Sequence, residues 1–166
     1  MPTHDWSKFS TRININASLL DVYAAWTSRT ALERWFLRVA EFTDTQNNIR
    51  TAESAIRQGD TYRWLWYGYD DSVVERGTIV ELNDNDYLRF TFAGSCLVTV
   101  TTQRQERETI LELRQENIAT DEESRVRYHL GCLTGWNFYL ANLKSILEGG
   151  IDLRNKNLKL QHVLNA

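Results

Sequence analysis

Apolar residues near the end of the chain recur at Val126, Leu130, Leu133, Trp136, Leu140, Leu143 and Leu147. The steps are four, three, three, four, three and four, which keeps one face of an α-helix apolar throughout. Thr120 and Glu123 precede the stripe at capping-box spacing, and Gly149-Gly150 follow it as a left-handed stop. A helix over residues 120–149 is therefore predicted. Its single apolar face needs a partner layer to lie on.

The partner is legible in the residues before it. Trp6 and Phe9 lead into an alternating strand, Thr11–Ile15. Ser18 with Asp21 and Thr30 with Glu33 form two more capping boxes, opening short helices that end at Trp26 and at Trp35-Phe36. Strands are then expected at Val39–Thr43, Thr61–Tyr67, Val73–Leu82, Tyr87–Phe92, Cys96–Gln103 and Thr109–Gln115. Residues 44–58 are polar and predict a turn with a ragged strand. Gly59-Asp60, Asp70-Asp71, Asn83–Asp86, Ala93–Ser95 and Gln105–Arg107 carry turn chemistry. Links this short join antiparallel neighbours, so the sheet is a meander. The fold class is α+β: a bent antiparallel sheet of about six to seven strands around one long C-terminal helix, with two short helices after the first strand. Residues 1–150 read as a single domain and 151–166 as a C-terminal tail. The tail's Arg154, Lys156, Lys159 and scattered Leu leave three fates open: folding back, pairing with a partner, or staying loose.

Strand alternation assigns faces. Tyr62, Trp64 and Trp66 share one face, as do Leu88, Phe90 and Phe92, and Leu111 with Leu113. The helix offers Leu133, Trp136 and Leu140 opposite them. These side chains form either a solid core or the aromatic wall of a cavity. In the second case Tyr62, Trp64, Trp66, Phe90, Phe92, Leu133, Trp136 and Leu140 are the ligand-pocket residues. Glu75 and Arg76 are adjacent and face opposite sides, so one of them points inward unless both join solvent-facing ion pairs.

Composition narrows the classes. Of 166 residues, 42% are hydrophobic, enough for one globular domain. The net charge of −3 is interspersed, which argues against nucleic-acid binding. No apolar run reaches a membrane span, and the first residues lack an apolar signal core, so a cytoplasmic location is expected. Cys96 and Cys132 read as buried small hydrophobes rather than a disulfide. His4, His129 and His162 are isolated, so no metal site, and no cofactor, is expected. No nucleophile elbow, phosphate loop or dinucleotide fingerprint occurs. His129 and Cys132 stand three apart on the helix but lack the rest of a nucleophilic site; His129 reads as a surface or satisfied buried histidine. Asn142 and Lys144 read as solvent-face residues.

Several of these features occur together in one known superfamily. They are the β-α-α start, Trp35-Phe36, Gly59-Asp60, Glu75-Arg76-Gly77, and Gly135-Trp136 followed by the run from Leu140 to Gly150. In them the chain resembles the SRPBCC (START-like) superfamily, in the branch named after the activator of the ninety-kilodalton heat-shock chaperone's ATPase. The resemblance implies a helix-grip fold over nearly the whole chain. It implies no catalytic residue. It suggests a small hydrophobic, aromatic or lipid-like ligand held between sheet and helix. The alternatives it carries are a co-chaperone-like interaction module with a chaperone partner and, third, a polyketide-cyclase-type enzyme. Apolar residues of the tail, with Trp6 and Phe9, further suggest a patch suited to a homodimer.

Overall fold

The computed structural model describes residues 3–160 and 162–164. Seven strands, β1 (Phe9–Ile15), β2 (Val39–Thr43), β3 (Thr61–Leu65), β4 (Glu75–Leu82), β5 (Tyr87–Phe92), β6 (Cys96–Gln105) and β7 (Glu108–Glu116), form one antiparallel sheet. Its order is β1-β7-β6-β5-β4-β3-β2, a meander in which β1 alone returns to pair with the last strand. A bulge between Ile79 and Glu81 shifts the β4–β5 register, and such bulges increase local bend and twist. Helices α1 (Leu19–Ala24) and α2 (Arg29–Trp35) connect β1 to β2. A helical rod follows β7, built from α3 (Glu122–Ser124), a π-helical segment (Arg125–Leu130) and α4 (Gly131–Leu147). This is the helix-grip architecture expected from the sequence. No helix among the described residues is long and apolar enough to cross a membrane.

The polar excursion 44–58 carries only an isolated bridge, Thr43 to Ile49, yet it is well held. Arg50 grips buried Asp60 with two hydrogen bonds, 2.5 and 2.8 Å, and Arg57 donates its backbone N–H to the same carboxylate. Ile56 is buried with it. Gly77 is required by packing: an added Cβ would lie 2.5 Å from the Tyr62 hydroxyl. That hydroxyl donates to the Thr91 carbonyl across β4.

Three cap assignments differ in accuracy. Ser18 caps α1 as expected, its Oγ accepting from the Asp21 N–H at 3.0 Å. The cap of α2 is Ser28, two residues before Thr30, with its Oγ accepting from Ala31. Thr30 instead bonds Ala52 and Glu53. The cap of α3 is Asp121, not Thr120, with its carboxylate accepting from the Ser124 N–H. The other end matches: Gly149 has φ +81°, and Gly149 and Gly150 donate back to Ile146 and Ser145 in a Schellman pattern.

The π-helical segment corrects the helical stripe. Gly131 donates to the Val126 carbonyl, five residues back, so the rod gains one residue there. Upstream of it the inward positions become His129 and Ser124, five apart, and both are buried. Val126 and Leu130, predicted to face the sheet, are 61% and 46% exposed. Downstream the expected register holds, with Trp136, Leu140 and Leu143 buried and Leu133 and Leu147 half-buried.

His129 is a satisfied buried histidine. Its Nδ1 lies 3.0 Å from the Trp6 carbonyl, which can only accept, so Nδ1 carries the proton. Its Nε2 then accepts from Nε2 of His4 at 3.1 Å. These bonds dock the N-terminal arm on the π segment. Phe9 turns into the core instead of joining a surface patch, because its place opposite Gln115 on β7 faces inward.

Asn142 corrects a second reading. It is fully buried rather than solvent-facing. Its amide nitrogen donates to the Trp35 carbonyl at 2.7 Å and to Asp152 at 3.1 Å, and its oxygen accepts from Leu153 N–H at 2.7 Å. Lys144 is half-buried, donating to the Asn14 carbonyl and pairing with Glu148. The tail folds back at least as far as Arg154, whose guanidinium is buried against the end of α2.

Candidate functional site

A cavity of about 530 Å³ opens between the sheet and the first half of α4. Its existence follows from the helix sequence. Gly131 and Gly135 carry no side chain and Cys132 only a small one on this lining face. A Cβ on Gly135 would meet nothing within 4 Å. Opposite this bare stretch the sheet contributes Trp66 just past β3, Glu75 at the start of β4, and Phe92 at the end of β5. Phe36, after α2, and Tyr69 and Val73, in the β3–β4 connection, close the sides. Trp136 and Tyr139 form the helix wall, and Leu164 of the tail lies at the rim. Arg38 steadies the β3–β4 connection by pairing with Asp71 and donating to the Trp66 carbonyl.

The residues singled out from the sequence divide by depth. Trp66, Phe92 and Trp136 border the cavity. Tyr62, Trp64, Phe90 and Leu140 are almost fully buried beneath it, and Leu133 packs half-buried against the same core. Tyr62 and Trp64 stack at 3.8 Å between ring centroids, and Trp64 meets Phe90 edge-on at 5.5 Å. The aromatic row is buried core along β3 and borders the cavity just past its end.

The polar groups of the cavity are few. Glu75 points inward while Arg76 is exposed, as alternation requires of neighbours. One Glu75 oxygen accepts the Ala93 N–H at 2.9 Å. Among the described residues no cation lies within ion-pair distance of it. Burial raises its pKa from the ordinary glutamate value, against the opposing pull of that N–H. Burial likewise pushes the Cys132 thiol up to about 11, so it stays protonated and unreactive at neutral pH. Both cysteines are free. The Tyr139 hydroxyl is raised by burial as well. No cluster of metal-ligating side chains exists among the described residues.

Gln115, which carried no signal in the sequence, links the cavity wall to the sheet. It is fully buried on β7, accepts from the Trp136 indole N–H at 3.0 Å, and donates to the Tyr128 carbonyl of the π segment at 3.4 Å. It thereby orients one wall residue and helps hold the π segment. The cavity residues Glu75, Tyr139, Gly131 and Gly135 were likewise not predicted as pocket residues, apart from the inward option for Glu75. Small helix residues give no hydrophobic signal, so a stripe analysis passes over the gap they create.

The sequence matches the family model described as activator of Hsp90 ATPase homolog 1-like protein over residues 16–148. A search of curated proteins returned no significant match. Among solved structures, a protein of Staphylococcus saprophyticus superimposes with a TM-score of 0.69 at 20% identity, covering 89% of this chain and 96% of its own. The Aha1 dimer from Colwellia psychrerythraea gives a TM-score of 0.65 at 21% identity, covering 86% and 97%. DynU16, a protein in the dynemicin biosynthetic locus, gives 0.67 at 17% identity, covering 90% of this chain and 50% of its own.

Proposed function

The chain belongs to the family of activator of Hsp90 ATPase homolog 1-like proteins, and from that premise we propose that it binds one small apolar or aromatic molecule in the cavity between sheet and α4. The observation that carries this reading is the bare helix face. Gly131, Cys132 and Gly135 leave about 530 Å³ unfilled in front of aromatic walls, a volume within the range of small-molecule sites. An apolar ligand there gains roughly 25 cal/mol for each Å² of apolar surface removed from water. The raised Cys132 thiol argues against a nucleophilic role for it at neutral pH. A binding module is the simpler reading.

Two variants separate wall from core. Trp66→Ala should weaken binding of an uncharged fluorescent aromatic probe more than it weakens the fold, because Trp66 is only half-buried. Trp64→Ala should instead cost about 3–5 kcal/mol of stability, the usual loss for a fully buried aromatic. Gly135→Leu places a side chain in the open space and improves helix propensity by up to about 1 kcal/mol. Saturable one-to-one binding to the parent, abolished in a well-folded Gly135→Leu, is the expected result of titration by fluorescence and calorimetry. Absence of saturable binding across a broad apolar set would transfer the function to the protein-interaction reading.

A further inference from the structure

We propose that the ligand of this cavity carries a protonated amine, which sits against the Glu75 carboxylate while its apolar body lies between the aromatic walls. The proposal rests on the reading that the cavity takes a small molecule, and it names that molecule's head group.

The argument starts from an imbalance of charge. Glu75 is brought inward by its place opposite Trp64 in the β3–β4 register. Its carboxylate has one backbone N–H as a partner and no ion pair among the described residues. The groups that feel its charge, Tyr62, Cys96 and Cys132, are all neutral at ordinary pH. The other charged residue on the wall, Arg127, makes no ion pair with Glu75 and its side chain is largely exposed. Its guanidinium lies 3.9 Å from Glu123 and 5.5 Å from the ring centre of Tyr128.

A partly desolvated carboxylate without a counter-ion is unfavourable until something positive reaches it. The walls favour the same sign. Phe36, Trp66, Tyr69, Phe92, Trp136 and Tyr139 surround the space, and aromatic faces attract cations through their quadrupole. Carboxylate and rings together select an ammonium group. A fatty acid or aromatic acid would bring a second negative charge to Glu75. A neutral hydrocarbon would leave the carboxylate dry and unpaired.

The test uses three isosteric probes, phenylbutylamine, phenylbutanol and phenylbutanoate, titrated calorimetrically at neutral pH and low salt. The parent protein should bind the amine at least about tenfold more tightly than the alcohol, with the acid weakest, as a charge-assisted bond in an aromatic setting warrants. Glu75→Gln can still accept the Ala93 N–H. It should bring amine and alcohol to within about twofold of each other while leaving the alcohol's affinity intact, which also certifies its fold. Gly135→Leu should lose all three probes.

An amine that binds no better than the alcohol overturns the ammonium proposal and leaves the cavity reading standing. So does an amine preference that survives Glu75→Gln. Amine binding that persists in Gly135→Leu puts the amine outside the cavity and overturns the ammonium proposal as well. Failure of all three probes to bind the parent overturns both.

Discussion

Replacing Arg154 with alanine is expected to lower the unfolding free energy by about 3–5 kcal/mol, the cost of removing one partner from a buried, hydrogen-bonded charge network. The side chain of Arg154 is only 1% exposed, an uncommon position for arginine outside a binding site. The end of α2 explains it. The last carbonyls of a helix lack partners inside the helix. Here Arg154 donates to the carbonyls of Glu33, Arg34 and Leu37 at 3.1, 2.8 and 3.0 Å. Asn142 takes the carbonyl of Trp35. A positive group at a helix C-terminus also opposes the negative end of its dipole. Asp152 supplies the counter-ion, accepting from Nε and a terminal nitrogen of Arg154 at 2.9 and 2.7 Å. Arg154→Lys should recover only part of the loss, because one ammonium cannot span three carbonyls and a carboxylate. Urea denaturation of both variants is the measurement. An alanine variant as stable as the parent would mean that the tail is an appendage rather than part of the domain.

The same clasp predicts a pH dependence. Burial alone would raise the Asp152 carboxyl, but hydrogen bonds from Arg154 and Lys156 outweigh it and hold the group well below the ordinary range. A depressed folded-state value means that the unfolded chain binds the proton first. The contribution is therefore present at neutral pH and is lost as pH falls below about 4, the unfolded carboxylate value. Asp152→Asn should be less stable than the parent near neutrality, and the gap should narrow on acidification. A gap that stays constant from neutral to acid pH would show that the hydrogen bonds, and not the charge, hold the clasp.

What the sequence revealed and what it hid divide along local and non-local lines. Strand β5 and the turn at Asn83–Asp86 were legible because their signals lie within a few residues. So were the Ser18 cap and the Gly149 stop. The faces of Tyr62 and Trp64, Leu88 and Phe90, and Leu111 and Leu113 followed from alternation alone. Asn142 was misread because a polar residue between Leu140 and Leu143 looks like a solvent position. Its partners, Trp35, Asp152 and Leu153, are set by how the tail returns. Val126 and Leu130 were misread because periodicity assumes a constant number of residues per turn, and the π segment breaks that assumption. The inserted residue brings His129 under the N-terminal arm and places Arg127 and Tyr128 on the cavity wall. The cavity itself was half legible. Trp66, Phe92 and Trp136 were named from their faces, but the glycines that open the space contribute no apolar signal.

Trp136→Ala is expected to cost about 3–5 kcal/mol, the range for truncating a buried large aromatic. Trp136 is 2% exposed and joins three parts of the molecule. Its ring lies 5.0 Å from Phe36 and 5.1 Å from Phe92, and 6.1 Å from Trp26 on the α1 side. Its indole N–H donates to Gln115 on β7. Alanine removes the packing and leaves the buried Gln115 oxygen without that donor, so the transfer, cavity and unsatisfied-acceptor costs fall on one residue. Trp136→Phe separates them. Phenylalanine retains much of the packing but cannot donate, so it should cost about 1–3 kcal/mol. The ordering parent, Phe, Ala in urea midpoint, with the slope unchanged, is the predicted result. Trp136 also borders the ligand space, so the alanine variant enlarges the cavity and should shift its preference toward bulkier apolar probes. An alanine variant that unfolds at the parent's midpoint would mean that α4 does not register on the sheet through this residue, and the helix face assigned to the cavity would be wrong with it.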